Sequence, residues 1–332
     1  MKIFITGGTG FIGNRLTERL VQENNEIILL VRNPEKKNWY NAPNVSVIKG
    51  DLFTKDVLEE AMKECDTVYH LAAFTSPWSD DPAISFRTNA TGTTNILDTA
   101  LKCRVRKVVV TSTGGTLSYS YDGKPVDESA ELKDRYNTEY ESTKAAAEKS
   151  VKEFCDRGLD VTIVNPTRVY GPGRLSVSNS MTKVINWYSK GIWRIMPGNG
   201  HAIGNYVFVD DVVSGMILAA AKGRQGERYI LGGENLSYRE LFRKTGEQSG
   251  KIRLVLYIPA PVLKVAISVI SFFSKLFRKT PFITNDWLDK YLKDWIVTSK
   301  KAEEELGYIV TPFSEGVKQT LDWLKQQRND GK

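Results

Sequence analysis

The sequence predicts an α/β fold, a doubly wound parallel sheet with a smaller, mostly helical C-terminal domain, and three observations carry that prediction. Short β-branched runs alternate with longer stretches of helical period from residue 1 to about 165. Several of these runs (IFIT, EIILLV, KVVVT, VTIVN) are continuously apolar, as strands covered on both faces require. A glycine-rich turn joins the first run to the first helical stretch.

Taken in order, strands are expected at 2–6, 26–32, 45–49, 67–71, 107–112 and 160–165, with a helix from the glycine turn to about Glu23. Beyond Pro166 the pattern loosens into Gly- and Pro-rich loops, GPG at 171–173 and PGNG at 197–200, with helices at 237–249 and 312–327. Residues 1–170, joined by a return at about 205–232, read as the sheet domain, and 171–330 mainly as a domain that covers its ligand. The segment 254–277 is strongly apolar, with Val265, Ile267, Val269, Ile270, Phe272 and Phe273. Lys264 and Lys275 interrupt it, leaving far fewer than the ~18 uninterrupted apolar residues of a spanning helix. A helix packed over the substrate pocket is expected here; a membrane-surface helix flanked by Lys275, Arg278 and Lys279 is the alternative.

Composition narrows the partners. The 332 residues carry 46 Lys and Arg against 39 Asp and Glu, a net charge of +7, without a basic block of the kind that binds nucleic acid. Cys65, Cys103 and Cys155 are few and widely spaced, and read as free thiols in a reducing compartment. Because a strand begins at once after Met1, a cytoplasmic location is expected. With His70 and His201 as the only histidines, a histidine-rich metal site is not expected, and acid/base chemistry falls to another residue type.

The turn reads Thr6-Gly7-Gly8-Thr9-Gly10-Phe11-Ile12-Gly13, between a strand and a helix. Glycines at 7, 10 and 13 permit a tight turn, close approach to a pyrophosphate and packing of helix on sheet, while the helix N-terminus offers N–H donors to phosphate. This is the fingerprint of a Rossmann-type dinucleotide site. The end of the second strand sets the choice of dinucleotide, and it carries Arg32 with Lys36 and Lys37 behind it, where a carboxylate would select NAD. Arg32 can pair with a 2′-phosphate, so NADP(H) is expected ahead of NAD(H); the other reading is an arginine stacked on adenine or facing solvent. Asp51 and Leu52, after the third strand, either hold the adenine edge or open the next helix.

Among the 14 tyrosines, only Tyr140 has a lysine four residues on, Lys144, in a segment that continues through Ala145, Ala146 and Ala147. One helical turn then puts phenol and ammonium on one face. A neighbouring cation is expected to lower the phenol pKa and make it a usable acid or base. Thr111, Ser112 and Thr113 end the fifth strand, where hydroxyls face the ligand crevice; spacing alone leaves Ser112 and Thr113 open as the substrate-holding group.

With these residues assembled, the chain resembles the extended short-chain dehydrogenase/reductase family, in its dihydroflavonol-reductase-like and 3β-hydroxysteroid-dehydrogenase-like branch. The resemblance spans nearly the whole chain: TGGTGFIG at 6–13, GDL at 50–52, HLAA at 70–73, NATGTTNIL at 89–97, VVVTST at 108–113, YESTK at 140–144, NPTRVYGPG at 165–173, YVFVDDV at 206–212, YILGGENLSYRELF at 229–242 and TSKKAEEELGY at 298–308. It implies a catalytic set of Thr113, Tyr140 and Lys144, the lysine also bonding the nicotinamide ribose. It implies cofactor contacts at Gly7, Thr9, Gly10, Phe11, Ile12, Arg32, Asp51, Leu52, Leu71, Ala72, Ala73, Thr111, Ser112, Pro166 and Val169, with Asn89 supporting the active-site helices and Asp210 and Asp211 capping a helix.

Relatives acting on nucleotide sugars carry an arginine shortly before the YVFVDD-like segment, where this chain has His201-Ala202-Ile203-Gly204-Asn205. That departure, with Trp187, Trp193, the Trp78 loop and the apolar 254–277 segment, leads to an expectation of an uncharged, hydrophobic ketone or secondary alcohol as substrate, in a monomer or homodimer. The rival readings are a sugar-nucleotide epimerase or dehydratase with tightly held NAD, and a non-catalytic dinucleotide-binding protein.

Overall fold

The computed structural model describes residues 1–36, 39–76, 81, 83–120, 123–130, 136–277 and 284–330. Lys37, Trp78, Arg278 and Lys279, and the side chain of Lys275, lie outside the described residues.

The first half alternates as its sequence predicts. It runs β1 (Lys2–Thr6), α1 (Phe11–Gln22), β2 (Glu26–Val31), β3 (Val45–Lys49), α2 (Lys55–Met62), β4 (Thr67–His70), α3 (Ile84–Phe86), a π-turn at Arg87–Thr91, α4 (Gly92–Lys102), β5 (Lys107–Thr111), α5 (Glu139–Asp156) and β6 (Val161–Pro166). All six expected strands form, each end within one residue of its expected position. The second half adds β7 (Arg168–Tyr170), α6 (Ser180–Lys190), β8 (Ile195–Pro197), β9 (Ile203–Phe208), α7 (Val209–Lys222), β10 (Arg228–Leu231), β11 (Glu234–Ser237), α8 (Tyr238–Ser249), β12 (Leu256–Ile258), α9 (Ala260–Leu276), α10 (Asn285–Tyr291), α11 (Lys300–Leu306) and α12 (Phe313–Asp330).

Seven strands form one parallel sheet in the order β10-β6-β5-β4-β1-β2-β3. Continuous apolar runs are used on both faces: Ile3 and Ile5 point into a core with Leu16, Leu20, Val212 and Met216 of α1 and α7, while Phe4 points into the other with Leu58, Ile96, Leu97 and Val151 of α2, α4 and α5. The strand order reverses beside β1, which pairs with β2 through Thr6↔Leu30 and with β4 through Thr6↔His70. A crevice therefore opens at the carboxyl ends of these strands.

A third core, built from Tyr170, Tyr188, Tyr206, Phe208, Phe313 and Leu321, holds the covering layer together. Two small sheets, β11-β9-β7 and β12-β8, belong to that layer. The apolar segment corrects one expectation. Its helix α9 lines no part of the crevice and leaves most of its apolar side chains exposed, with Ile267 buried.

Candidate active site

A cleft of about 680 Å³ lies at the carboxyl edge of the sheet, within the usual range for small-molecule sites. Every residue expected to act in catalysis or to contact the cofactor borders it. Gly7, Thr9, Gly10, Phe11, Ile12, Arg32, Asp51 and Leu52 line one end, and Leu71, Ala72, Ala73, Thr111, Ser112, Thr113, Tyr140, Lys144, Pro166 and Val169 line the remainder.

The glycine turn is shaped for an anion. Gly7 has φ +77°, and a Cβ there would stand 2.6 Å from the Ala72 amide nitrogen; a Cβ on Gly13 would stand 2.3 Å from the Gly7 carbonyl oxygen. Neither position admits a side chain. Helix α1 starts from Gly10 in an extended conformation, with no side-chain cap and no acidic residue in its first turn. Its leading N–H groups have no competing carboxylate, which fits the pyrophosphate of a dinucleotide. His70 holds this edge from beneath: its two ring nitrogens meet Thr6 Oγ1 at 2.7 Å and Thr93 Oγ1 at 3.0 Å, and burial pushes its pKa down to about 3, so it stays neutral.

At the adenosine end, Arg32 is exposed and borders the cleft, with no ion pair among the described residues. Asp51 accepts from the Phe53 amide at 2.8 Å and from Thr54 Oγ1 at 2.9 Å, so its Oδ1 shapes the turn into α2.

At the catalytic end, Thr138 opens α5 by accepting from the Glu141 amide at 3.3 Å, which sets Tyr140 and Lys144 one turn apart facing the cleft. Lys144 is buried and donates to the Thr111 carbonyl at 2.8 Å; burial lowers its pKa to about 8, against the attraction of Glu148. The expected tuning of Tyr140 by this cation is not what the structure has. Loss of solvation first, and the Glu141 carboxylate second, push the phenol pKa up, which keeps it protonated. Asn89 staples the surroundings, with its side-chain amide on Thr143 Oγ1 at 3.0 Å and on both backbone groups of Phe74.

The two strand-end hydroxyls separate. Ser112 donates to Glu148, which also receives Thr116 Oγ1 at 2.9 Å and Asn165 Nδ2 at 2.8 Å and faces Arg228 at 3.5 Å. Among the described residues the Thr113 hydroxyl accepts from the Gly115 amide at 3.1 Å and donates to none, which leaves its proton for a ligand. Asp210 and Asp211 lie in the first turn of α7 but do not cap it: Asp210 pairs with Arg15 of α1 at 2.6 Å, and Asp211 accepts from the Thr311 amide and hydroxyl, so the two carboxylates tie α7 to its neighbours.

Several lining residues lay beyond the sequence reading. Trp287, Lys290 and Tyr291 of α10, Trp295 after it, and Arg168 of β7 close the substrate end. The tryptophans expected there, Trp187 and Trp193, instead stack on each other at 6.0 Å and do not border the cleft. Lys290 forms a buried ion pair with Glu141 at 2.7 Å. The Arg168 guanidinium sits 4.8 Å from the Tyr291 ring and 5.4 Å from the Tyr206 ring and donates to Tyr206 Oη at 3.0 Å. Its Nε and second terminal nitrogen are buried without an acceptor. The one signal in the sequence was a charge inside an apolar strand, between two residues assigned to the nicotinamide.

Residues 3–232 match the model of the NAD dependent epimerase/dehydratase family. The chain belongs to that family. A Synechocystis protein with the provisional name dihydroflavonol 4-reductase is 28% identical over 332 residues, covering 97% of this chain and 94% of its own. A Stigmatella aurantiaca protein, 4-hydroxy-2-methyl-3-oxo-4-farnesyl-3,4-dihydroquinoline-1-oxide ketoreductase, is 33% identical over 239 residues, 70% of this chain and 68% of its own. The crystal structure of gox2253 superposes with a TM-score of 0.82 at 29% identity, over 98% of each chain. Family membership and the reductase relatives make this an oxidoreductase-type dinucleotide fold.

Proposed function

We propose that the chain is an NADP(H)-dependent oxidoreductase that transfers hydride between nicotinamide and a ketone or secondary alcohol carried on a mainly hydrophobic substrate. The observation that carries this reading is the meeting of Tyr140, Lys144 and the Thr113 hydroxyl on the same cleft as the glycine turn. Residues 1–170 with 205–232 would hold the dinucleotide, and most of 171–330 would enclose the substrate. When bound, the nicotinamide supplies or accepts the hydride.

In the reductive direction, Thr113 and Tyr140 donate hydrogen bonds to the carbonyl oxygen, and Tyr140 gives its proton as that oxygen becomes an alkoxide. Burial keeps the phenol protonated at neutral pH, so the proton to be given is present in this direction. Lys144, fixed on the Thr111 carbonyl, retains further N–H bonds for the ribose hydroxyls. Arg32, free of an ion pair among the described residues, supports NADP(H) over NAD(H).

Trp287, Trp295, Tyr291, Met181 and Phe74 favour an apolar substrate body. A wholly uncharged and non-polar substrate fits less well, since Arg168 has two donors without an acceptor among the described residues. That arginine is also the observation that favours a second reading, an epimerase or dehydratase of an anionic sugar nucleotide with NAD held through turnover. A carbonyl-substrate screen following NADPH and NADH in parallel separates the two. The oxidoreductase reading expects net NADPH consumption, abolished in Tyr140→Phe while NADPH still binds. Stoichiometric NAD on the purified protein, with no net turnover of added cofactor, would overturn it.

A further inference from the structure

Helix α9 presents an apolar face that the fold does not use. Val262, Val265, Val269, Ile270, Phe272 and Phe273 are each between 50% and 66% exposed. At ~100° per residue they share one face of less than half the circumference. The opposite face seats on α10: Lys264 pairs with Asp289 at 2.7 Å, and Asn285 Nδ2 donates to Ser268 Oγ at 2.8 Å. Leu254 and Leu256, leading into the helix, are 79% and 59% exposed and extend the apolar surface along the chain. Soluble surfaces seldom carry so many large apolar side chains together without a partner.

Charge identifies the partner. Between Glu247 and Asp286 the sequence contains no Asp or Glu, yet it holds Lys251, Arg253, Lys264, Lys275, Arg278 and Lys279, which together make up most of the net +7. Asp289 engages Lys264, but the other basic residues of this acid-free segment leave it with a positive charge, which complements a surface of uniform negative charge. No helix among the described residues is long and apolar enough to cross a membrane, so α9 would lie along one.

We propose that α9 docks the protein on an anionic lipid surface, with Phe272 and Phe273 entering the acyl boundary and the basic residues of the segment other than Lys264 meeting the headgroups. Helix α10, on which α9 rests, carries Trp287, Lys290 and Tyr291 to the cleft. Docking thus brings the substrate end one helix away from the bilayer. An apolar substrate drawn from the lipid follows only if the proposed reaction holds; the docking itself does not depend on it.

The test is flotation of the full chain with vesicles of phosphatidylcholine, alone or mixed with phosphatidylglycerol, at low and high salt. The wild type should float with the mixed vesicles, and at least about tenfold less with phosphatidylcholine alone or in high salt. Phe272→Ser/Phe273→Ser should lower binding by at least about tenfold while its thermal midpoint and NADPH affinity stay at wild-type values. Failure of the wild type to float, or flotation of the double variant as well as its parent, would overturn the proposal. So would concentration-dependent self-association, lost in the double variant, without vesicle binding, since the face would then be a contact between copies of this chain. None of these readouts measures turnover, so a failed docking proposal and a failed reaction reading remain distinguishable.

Discussion

Replacing Lys144 by methionine should make the protein more stable and nearly inactive. Burial drops the ammonium pKa from 10.5 to about 8, so charging this lysine costs about 3 kcal/mol more in the folded chain than in the unfolded one. Methionine removes that cost and also the bond to the Thr111 carbonyl at 2.8 Å, a loss of about 1 kcal/mol. The net gain at pH 7 is about 2 kcal/mol, or about 3 °C in Tm for a chain of this length. The sign fixes the pH window. Between about 8 and 10.5 the unfolded chain still holds the proton that the folded chain has released, so wild-type stability climbs with pH through this range. The advantage of the variant should therefore be full below pH 8 and gone near pH 10.5. Urea denaturation of both proteins at several pH values measures it, and carbonyl reduction should fall by ~10²-fold or more. A variant less stable than wild type at pH 7, or a gain that persists above the unfolded pKa, would refute the reasoning.

Three further outcomes follow from the same site. Arg168→Met exchanges a hydrogen bond to Tyr206 and ring stacking for relief of two buried donors without acceptors, so unfolding free energy should change by no more than about 1 kcal/mol while KM rises about tenfold; a KM at the wild-type value would remove Arg168 from substrate binding. Lys290→Met strands the buried Glu141 carboxylate and should cost about 3–5 kcal/mol in denaturant titrations, most of it recovered in the double variant with Glu141→Gln. Arg32→Ser should raise KM for NADPH by about 10–100-fold and leave that for NADH unchanged, and equal effects on both cofactors would argue for adenine stacking instead.

The sheet and the cofactor end were legible because their signals are local. Each strand run contains its own burial pattern, and Gly7 and Gly13 declare a close approach within one turn of chain. Tyr140 and Lys144 were legible for the same reason, being one helical turn apart. Their electrostatics were not, because the pKa of Tyr140 is set first by burial, which the sequence does not show; Glu141 and Lys144 are both visible beside it, but not which of them prevails. The substrate end was hidden by distance along the chain. Lys290 meets Glu141 across nearly half of the sequence, and Trp295 lies against Gly114, where a Cβ would stand 2.7 Å from its ring. Periodicity carries no trace of either contact. The apolar segment misled for a related reason: hydrophobicity marks α9 as a surface needing cover, but only the fold shows that the chain does not supply it.

The buried charges around the cleft suggest why this chain retains an arrangement that an ideal core would avoid. Lys290 is matched by Glu141, and Lys144 is drawn to Glu148, so each of these cations has a carboxylate that offsets part of its desolvation. Arg168 has none among the described residues; it is enclosed by the rings of Tyr206, Tyr291 and Trp295, with two donors unanswered. A guanidinium serving only the fold would be replaceable by an apolar side chain at little or no loss. Its presence at the substrate end is the local inconsistency expected of a binding position. The group that relieves it should be an oxygen of the substrate, which makes Arg168 the residue through which specificity for one carbonyl compound over another would be expressed.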